Sequence, residues 1–432
     1  MTRCPFPLAH PLWALLLAAL LAACLASHAQ AGASLPQTIV LSPEALYNSR
    51  QKVRVREGSV RAAMVALKAE ADAAMRSPVE PVSAKPQAGM GKPARAYHSL
   101  APYWWPDPAS QNRLPYVRRD DERNPEADSD RYDHKRLTRM ARTVRTLALA
   151  WYFTGNELYA ARASAHLRAW FCDPQTRMVP NLEHARMRPG HDRGNRTGII
   201  ETAALIPVCD AIRLLEPSRA WTMDDTRRTR EWFGKYLGWM LRSEQGRAEA
   251  AALDNHGTWF DAQAAVFALF RNDRELARAV AGLTGNRRIT TQILPDGSMP
   301  RELARSRPRR SVFSNLEAFA ILASVGERCG LDLWHWASAT GQSIRKALDR
   351  AGPHLDPANP LPASRAGRFT PYAYVPLFRR AALVYNDTSY LDYLDPLDSE
   401  ILARVLNLTI DPRPPEAPPH ARTVAHPKPR PH

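Results

Sequence analysis

Cysteine is scarce. Five occur in 432 residues, and two of them fall within the first 31. Cys172, Cys209 and Cys329 remain; three thiols close at most one bridge, which excludes a disulfide scaffold. They are expected to be small buried hydrophobes. Long apolar runs are equally rare. The most compact one, Leu12 to Leu21, is too short to span a bilayer permanently. No stretch alternates convincingly as strands do. No Gly-x-Ser-x-Gly elbow or phosphate loop is present. His98, His184, His191 and His256 are scattered, without close ligand spacing, so no metal and no cofactor is expected. Acidic side chains are in the minority: 43 against 59 basic ones, for a net charge of +16.

What is present begins with an export pattern. Arg3 precedes the apolar run, and "AQA" (Ala29 to Ala31) is a small-x-small cleavage site, so residues 1–31 read as a signal peptide. The expected location is periplasmic or secreted. A competing reading takes "LAAC" (Leu21 to Cys24) as a lipobox with Cys24 lipidated, although Leu25 is a poor follower. An exported basic chain has little access to nucleic acid. Its charge suits acidic polysaccharide, lipid head groups or lipopolysaccharide; a coding bias towards Arg, with no partner, is the plain alternative.

The body, residues 32–410, reads as a single all-α domain. "SPEALYNSR" predicts a helix with Ser42 as N-cap and Pro43 at the first position. Leu137, Met140, Ala141, Val144, Leu147, Ala148 and Trp151 keep helical spacing, and Gly155 is placed to cap that helix. A second helix follows over about 157–171. Further helical runs are expected near 198–215, 225–243, 258–270, 273–284, 314–328 and 331–350. The picture is a series of antiparallel helix pairs. One unit over 147–167 has the look of a tetratricopeptide, but a solenoid needs several copies. Tyr97 to Asp133 has neither period, yet it holds two Trp and four Tyr; so long and aromatic a loop points to function. Residues 411–432 form a Pro-rich tail without a core pattern.

Four polar segments lie in loops or at helix ends: "YHSLAPYWWPDP", "RMRPGHDRGNRTGIIET", "LDNHGTWFDAQ" and "QILPDGSMPRELARSRPRRSVFSNLEAF". If loops meet at one rim, His98, Tyr103, Arg193, Arg196, Asn255, His256 and Arg305 come together. Asn255 and Gly257 around His256 suggest an exposed turn; a lone histidine is otherwise most often a core residue. Trp104 and Trp105, fenced by Pro102 and Pro106, are either core anchors or faces for sugar rings. Arginines in "RPGHDRGNR" and "ARSRPRR" form a solvated surface or a carboxylate clamp. Glu201, Asp254 and Asp261 are candidates for paired-carboxylate hydrolysis.

As an ordered set, "PYWWPDP", "PYVRRDDERNPE", "GNRTGIIET", "NHGTWFDAQ" and "DGSMPRELARS" resemble the bacterial alginate lyase domain family. The resemblance covers about 97–319. It implies an incomplete (α/α) toroid in an exported protein and a polysaccharide lyase acting on uronic-acid polymers by β-elimination. Such a reaction needs a donor that neutralises the uronate carboxylate, a base for the C5 proton and an acid for the leaving oxygen. Histidine, with an unperturbed pKa near 6.5, is a suitable base. By motif match Asn255 is the implied neutraliser, His256 the base and Arg305 a charge-stabilising partner. Tyr97, His98, Tyr103, Trp104, Trp105, Arg193, Arg196 and Trp259 are the implied substrate-binding residues. Two positions depart from the family. Its usual Tyr after "ELAR" is Ser311 here, and a Gln common before that motif is Met299. Either another Tyr serves, such as Tyr97, Tyr103 or Tyr132, or His256 does both tasks, or the chain binds acidic glycans without cleaving. A glycoside hydrolase on an α/α barrel is a further alternative.

Overall fold

The computed structural model describes residues 35–86, 93–119, 122–191, 193–361, 369–405 and 408–409. The expected signal peptide, Cys24 and the Pro-rich tail lie outside the described residues. The chain divides at Pro36 into two units, and the described helices and strands belong to the unit from Gln37 onwards.

Local chemistry sets the helix ends. Ser42 accepts from the Ala45 N–H and Pro43 opens the first helix, Pro43–Arg54. His134–Thr154 stops at Gly155, whose φ of +71° is left-handed and natural only for glycine. Glu157–Leu167 follows, with Asn156 as its cap, and runs into a π-helical turn at Arg168–Cys172. Met223–Arg242 begins with a reciprocal capping box between Thr222 and Asp225.

Two helical expectations are corrected. Over 198–215 the first half is a 3-10 stretch, Arg196–Leu205, and the α-helix is Ile206–Leu215. Pro207 has no N–H to return to Ala203, so the regular ladder starts only there. Over 331–350 the helix is confined to Ile344–Ala351. Ser343 caps it, and the preceding residues form a turn with an isolated Ala337–Ser343 bridge. Short strands also appear where no alternation was legible. β1 (His98–Leu100) pairs in parallel with β4 (His184–Met187). β2 (Trp104–Trp105) pairs antiparallel with β3 (Val117–Arg118). Strands of two to four residues are too brief for a period-two signal.

The helix Asn255–Phe270 lies at the centre of the packing. All of its sixteen residues except Leu269 are buried. A helix apolar on every side belongs in a core. It touches the helices Ile206–Leu215, Met223–Arg242, Glu244–Ala250, Arg274–Gly282 and Pro308–Arg328, and the 3-10 stretch Arg196–Leu205. Phe233, Phe267 and Phe270 meet within 4.9–5.1 Å across two of these helices. Cys172, Cys209 and Cys329 are buried free thiols.

The start of this central helix is pinned by Arg288. Its Nε donates to Asp261 at 2.6 Å, Nη1 to the Ala252 carbonyl at 2.6 Å and Nη2 to the Ala250 carbonyl at 2.7 Å. Gly257 passes directly over this knot. A Cβ there collides with the Ala252 carbonyl oxygen and with Arg288 Nη1. Backbone and a three-bonded guanidinium do not yield easily. Gly257→Ala is therefore expected to lower stability by about 1–3 kcal/mol, read as a lower urea midpoint at unchanged slope.

Candidate active site

Asp254, Asn255 and His256 occupy the N-cap and first two positions of the central helix. This corrects the expected exposed turn: Asn255 and His256 are buried. Four N-terminal N–H groups of any helix lack intrahelical acceptors. Here Asp254 Oδ1 takes the His256 N–H at 3.1 Å, and Glu302 Oε1 takes the Asn255 N–H at 2.6 Å. Both caps are carboxylates, the sign that a helix N-terminus favours.

Each of the three residues also meets a charged side chain. The Asn255 amide Nδ2 donates to Glu302 Oε2. His256 Nδ1 lies 2.5 Å from Glu249 Oε1, and Arg196 Nη1 lies 2.5 Å from Glu249 Oε2. Arg305 Nη1 reaches Asp254 Oδ2 at 3.0 Å. Glu302 and Arg305 belong to one turn, the short helix Pro300–Leu303 and the residues after it. The two motifs therefore clamp each other, Asn255 onto Glu302 and Arg305 onto Asp254.

Burial decides the electrostatics of Glu302. It pushes the carboxyl up to about 7, against the opposing pull of the Asn255 N–H groups and Arg305; Asp254 adds to the rise. Glu249 is fully buried, and its oxygens are held by His256 and Arg196. An ion-paired carboxylate offers only acceptors. In the neutral ring whose Nδ1 donates to Glu249, Nε2 holds the lone pair.

The remaining expected residues divide. Arg196 joins the His256 cluster through Glu249. Trp259, one turn beyond His256, donates from Nε1 to Ser314 Oγ at 2.9 Å. Ser311, half-buried, lies one turn before Ser314 on Pro308–Arg328. Tyr97 is buried and donates to Glu201 at 2.9 Å; burial and the Glu201 charge raise its pKa well above that of a free phenol. His98 packs edge-on against His184 at 5.1 Å. Glu201 also accepts from Ser99 at 2.6 Å and from Arg186 at 3.1 Å. Trp104 and Trp105 are half-buried on the β2–β3 ribbon, with Arg188 over one ring at 4.9 Å and Arg119 over the other at 5.5 Å. Tyr103 is half-buried beside them, its carbonyl accepting from the Arg119 N–H. Arg193 is exposed and pairs with Glu244 at 3.4 Å. Neither Tyr103 nor Arg193 makes these contacts with His256 itself; Arg193's partner Glu244 opens the helix that also carries Glu249.

The three carboxylates weighed for hydrolysis are engaged. Asp261 is held by Arg288, Glu201 by Tyr97, Ser99 and Arg186, and Asp254 by its capping bond and Arg305. Sequence reasoning missed Glu249 and Glu302 as site residues. Glu302 stands in the "ELAR" run, so its signal was available; Glu249 sits in the alanine-rich helix Glu244–Ala250, which carries none.

Comparison with known proteins gives the family of the chain. The family model described as alginate lyase matches residues 82–360. A crystal structure of an alginate lyase from Bacteroides ovatus aligns at a TM-score of 0.82 and 29% identity, over 87% of this chain and 99% of that one. A histidine-to-alanine variant of alginate lyase A1-III, complexed with tetrasaccharide, aligns at 0.54 and 13% identity, over 89% and 99%. A tyrosine-to-phenylalanine variant of the same enzyme, also with tetrasaccharide, aligns at 0.54 and 14% identity, over 87% and 98%. No curated protein sequence matches significantly. The family match covers well over half of the sequence, and the chain belongs to the alginate lyase family.

Proposed function

We propose that the chain is an exported polysaccharide lyase that cleaves a uronic-acid polymer such as alginate by β-elimination. We read its helical body as an incomplete α/α toroid of antiparallel helix pairs. Family membership supports both readings. The observation that carries the mechanism is the His256–Glu249–Arg196 relay, which aims a lone pair away from its own support.

The steps follow from that geometry. Asn255 gives one amide hydrogen to Glu302 and has a second for the substrate carboxylate. Arg305 spends one nitrogen on Asp254 and has further donors for the same carboxylate. With that charge neutralised, His256 Nε2 takes the C5 proton. The C5–H electron pair becomes the C4=C5 double bond, and the C4–O bond breaks. The leaving oxygen takes the proton back from the imidazolium, which Glu249 stabilises. His256 does both tasks because Ser311 stands where the family carries its Tyr, and a serine hydroxyl is a far weaker acid than a phenol. Tyr97, Trp104, Trp105, His98, Tyr103, Arg193 and Trp259 are assigned to substrate contact. The expected partner is acidic polysaccharide rather than nucleic acid. No helix among the described residues is long and apolar enough to cross a membrane.

Ser311 also supports a second reading, an envelope protein that binds acidic glycans without cleaving them. Ultraviolet absorbance of unsaturated products separates the two. Incubation with alginate, polymannuronate, polyguluronate and glucuronan is expected to raise it for at least one polymer. His256→Ala is expected to cut the rate by at least ~10²-fold. Salt-sensitive binding with no absorbance gain in any polymer rejects the lyase and favours the binder.

Glu249→Gln keeps the shape but weakens the support of the imidazole. It is expected to lower kcat at least ~10-fold with KM changed much less. An unchanged kcat removes Glu249 from the mechanism.

Export is tested separately. The mature chain is expected to begin at Gly32, by mass of its N-terminus. A lipid-modified Cys24 at that terminus rejects soluble export.

A further inference from the structure

Asn255 spends two donors on one carboxylate. Its backbone N–H goes to Glu302 Oε1 at 2.6 Å, and its side-chain Nδ2 to Glu302 Oε2. The backbone bond caps the central helix, a structural task any acceptor performs. The side-chain bond does something else. A primary amide has two ends of similar size and opposite character, an acceptor oxygen and a donor nitrogen. A half-turn of the amide exchanges them at little steric cost. Only the nitrogen end helps a bound uronate; the oxygen end repels it.

We propose that Glu302 is a positioning residue that fixes the orientation of the Asn255 amide, so that a nitrogen hydrogen rather than the oxygen is presented to the substrate carboxylate. This inference rests on the lyase reading for its consequence, though not for its geometry. A charged Glu302 is acceptor-only. Turning Asn255 Oδ1 towards it sets oxygen against oxygen, so the nitrogen end stays put. A neutral Glu302 carries an O–H, for which Oδ1 is the natural partner, and the restraint reverses.

Glu302 is buried, and the charged groups acting on it lie on two segments. Arg305 follows it on its own turn and favours the charged form; Asp254, at the start of the central helix, opposes it. Burial, with Asp254, outweighs Arg305 and the Asn255 hydrogen bonds, and the carboxyl is pushed up to about 7. The direction is fixed by this. As pH falls through about 7, Glu302 takes a proton, the amide is released, and catalysis weakens on the acid side.

Glu302→Gln is the decisive substitution. Glutamine keeps the volume and one acceptor oxygen for the Asn255 backbone N–H, so the helix cap survives. Its amide nitrogen then favours Asn255 Oδ1, which reverses the Asn255 amide. The variant of the full chain is expected to lose on the order of 10²-fold in kcat, with KM changed by less than about threefold. Its kcat is also expected to lack the acid limb that Glu302 imposes near pH 7. A variant with wild-type kcat and the same acid limb overturns the proposal. A second readout needs no activity. In the unmodified protein, the paired side-chain amide proton resonances of Asn255, assigned by their loss in Asn255→Asp, are expected to shift through pH 7. Resonances that stay fixed across that range overturn the proposal even if Glu302→Gln fails to fold. Should no polyuronate be cleaved while these resonances titrate, the lyase reading fails and the role of Glu302 in orienting Asn255 stands.

Discussion

The site hangs from one buried guanidinium. Arg288 joins Asp261, in the second turn of the central helix, to the carbonyls of Ala250 and Ala252, which end the helix before it. Those residues lie between Glu249 and Asn255. Whatever fixes Ala250 to Ala252 therefore fixes the distance between His256 and its carboxylate support. Arg288 carries enough donors to satisfy one carboxylate and two carbonyls at once, which lysine, a point charge, does not do in the same plane. Loss of Arg288 leaves the buried Asp261 with only the more distant Arg287, 3.7 Å away, a larger penalty than the net value of the pair. Gly257 is required by the same knot, because its missing side chain lets the helix lie on the guanidinium.

From that anchor, three consecutive residues reach two other parts of the chain directly and a third through Glu249. Asp254 meets Arg305, Asn255 meets Glu302, and His256 meets Glu249 with Arg196 behind it. Every contact joins a charge to a polar or charged partner, and most of the groups are buried. In such surroundings an unpaired member is costly. "NHGTWFDAQ" is thus tied directly to "DGSMPRELARS" through Asn255 and Glu302, and to "GNRTGIIET" through Glu249, which both His256 and Arg196 meet.

Much of the helical frame was legible. Ser42 with Pro43 and the stop at Gly155 follow from local chemistry that acts within a few residues. The polar cluster at 253–263 was legible as a candidate site, but its burial was not. Asn255 beside Gly257 resembles a surface turn, and only the tertiary partners Glu302, Glu249 and Arg288 make it a buried helix start. Glu249 could not be found at all, since nothing in an alanine-rich run marks one glutamate as a histidine's partner. The 331–350 stretch misled because its apolar spacing reflects Trp334 packing under a turn, its ring edge-on to Tyr385 at 6.1 Å, rather than a helix face. The toroid reading, by contrast, rests on resemblance and not on periodicity.

The two departures from the family pattern differ in physical weight. Met299 is buried, and its Sδ lies 3.4 Å from Asn315 Nδ2, an amide that also donates to Gln292 at 2.9 Å. Gln292 in turn accepts from Thr258 on the central helix at 3.0 Å. A soft sulfur in place of an amide is absorbed there by packing, behind the site. Ser311 is different. It is half-buried at the first turn of a helix whose next turn already supports Trp259 through Ser314. Replacing a phenol by a hydroxymethyl removes reach as well as acidity; Tyr97 is bound to Glu201 and Tyr236 lies 2.6 Å from Thr202, while Tyr374 packs on Phe313, two residues beyond Ser311, with ring centroids 5.1 Å apart. On the proposed mechanism, the proton that a tyrosine would carry falls to the imidazole. A histidine asked both to take and to return a proton must keep its ring orientation through both steps. Glu249, itself held by Arg196, provides that constraint.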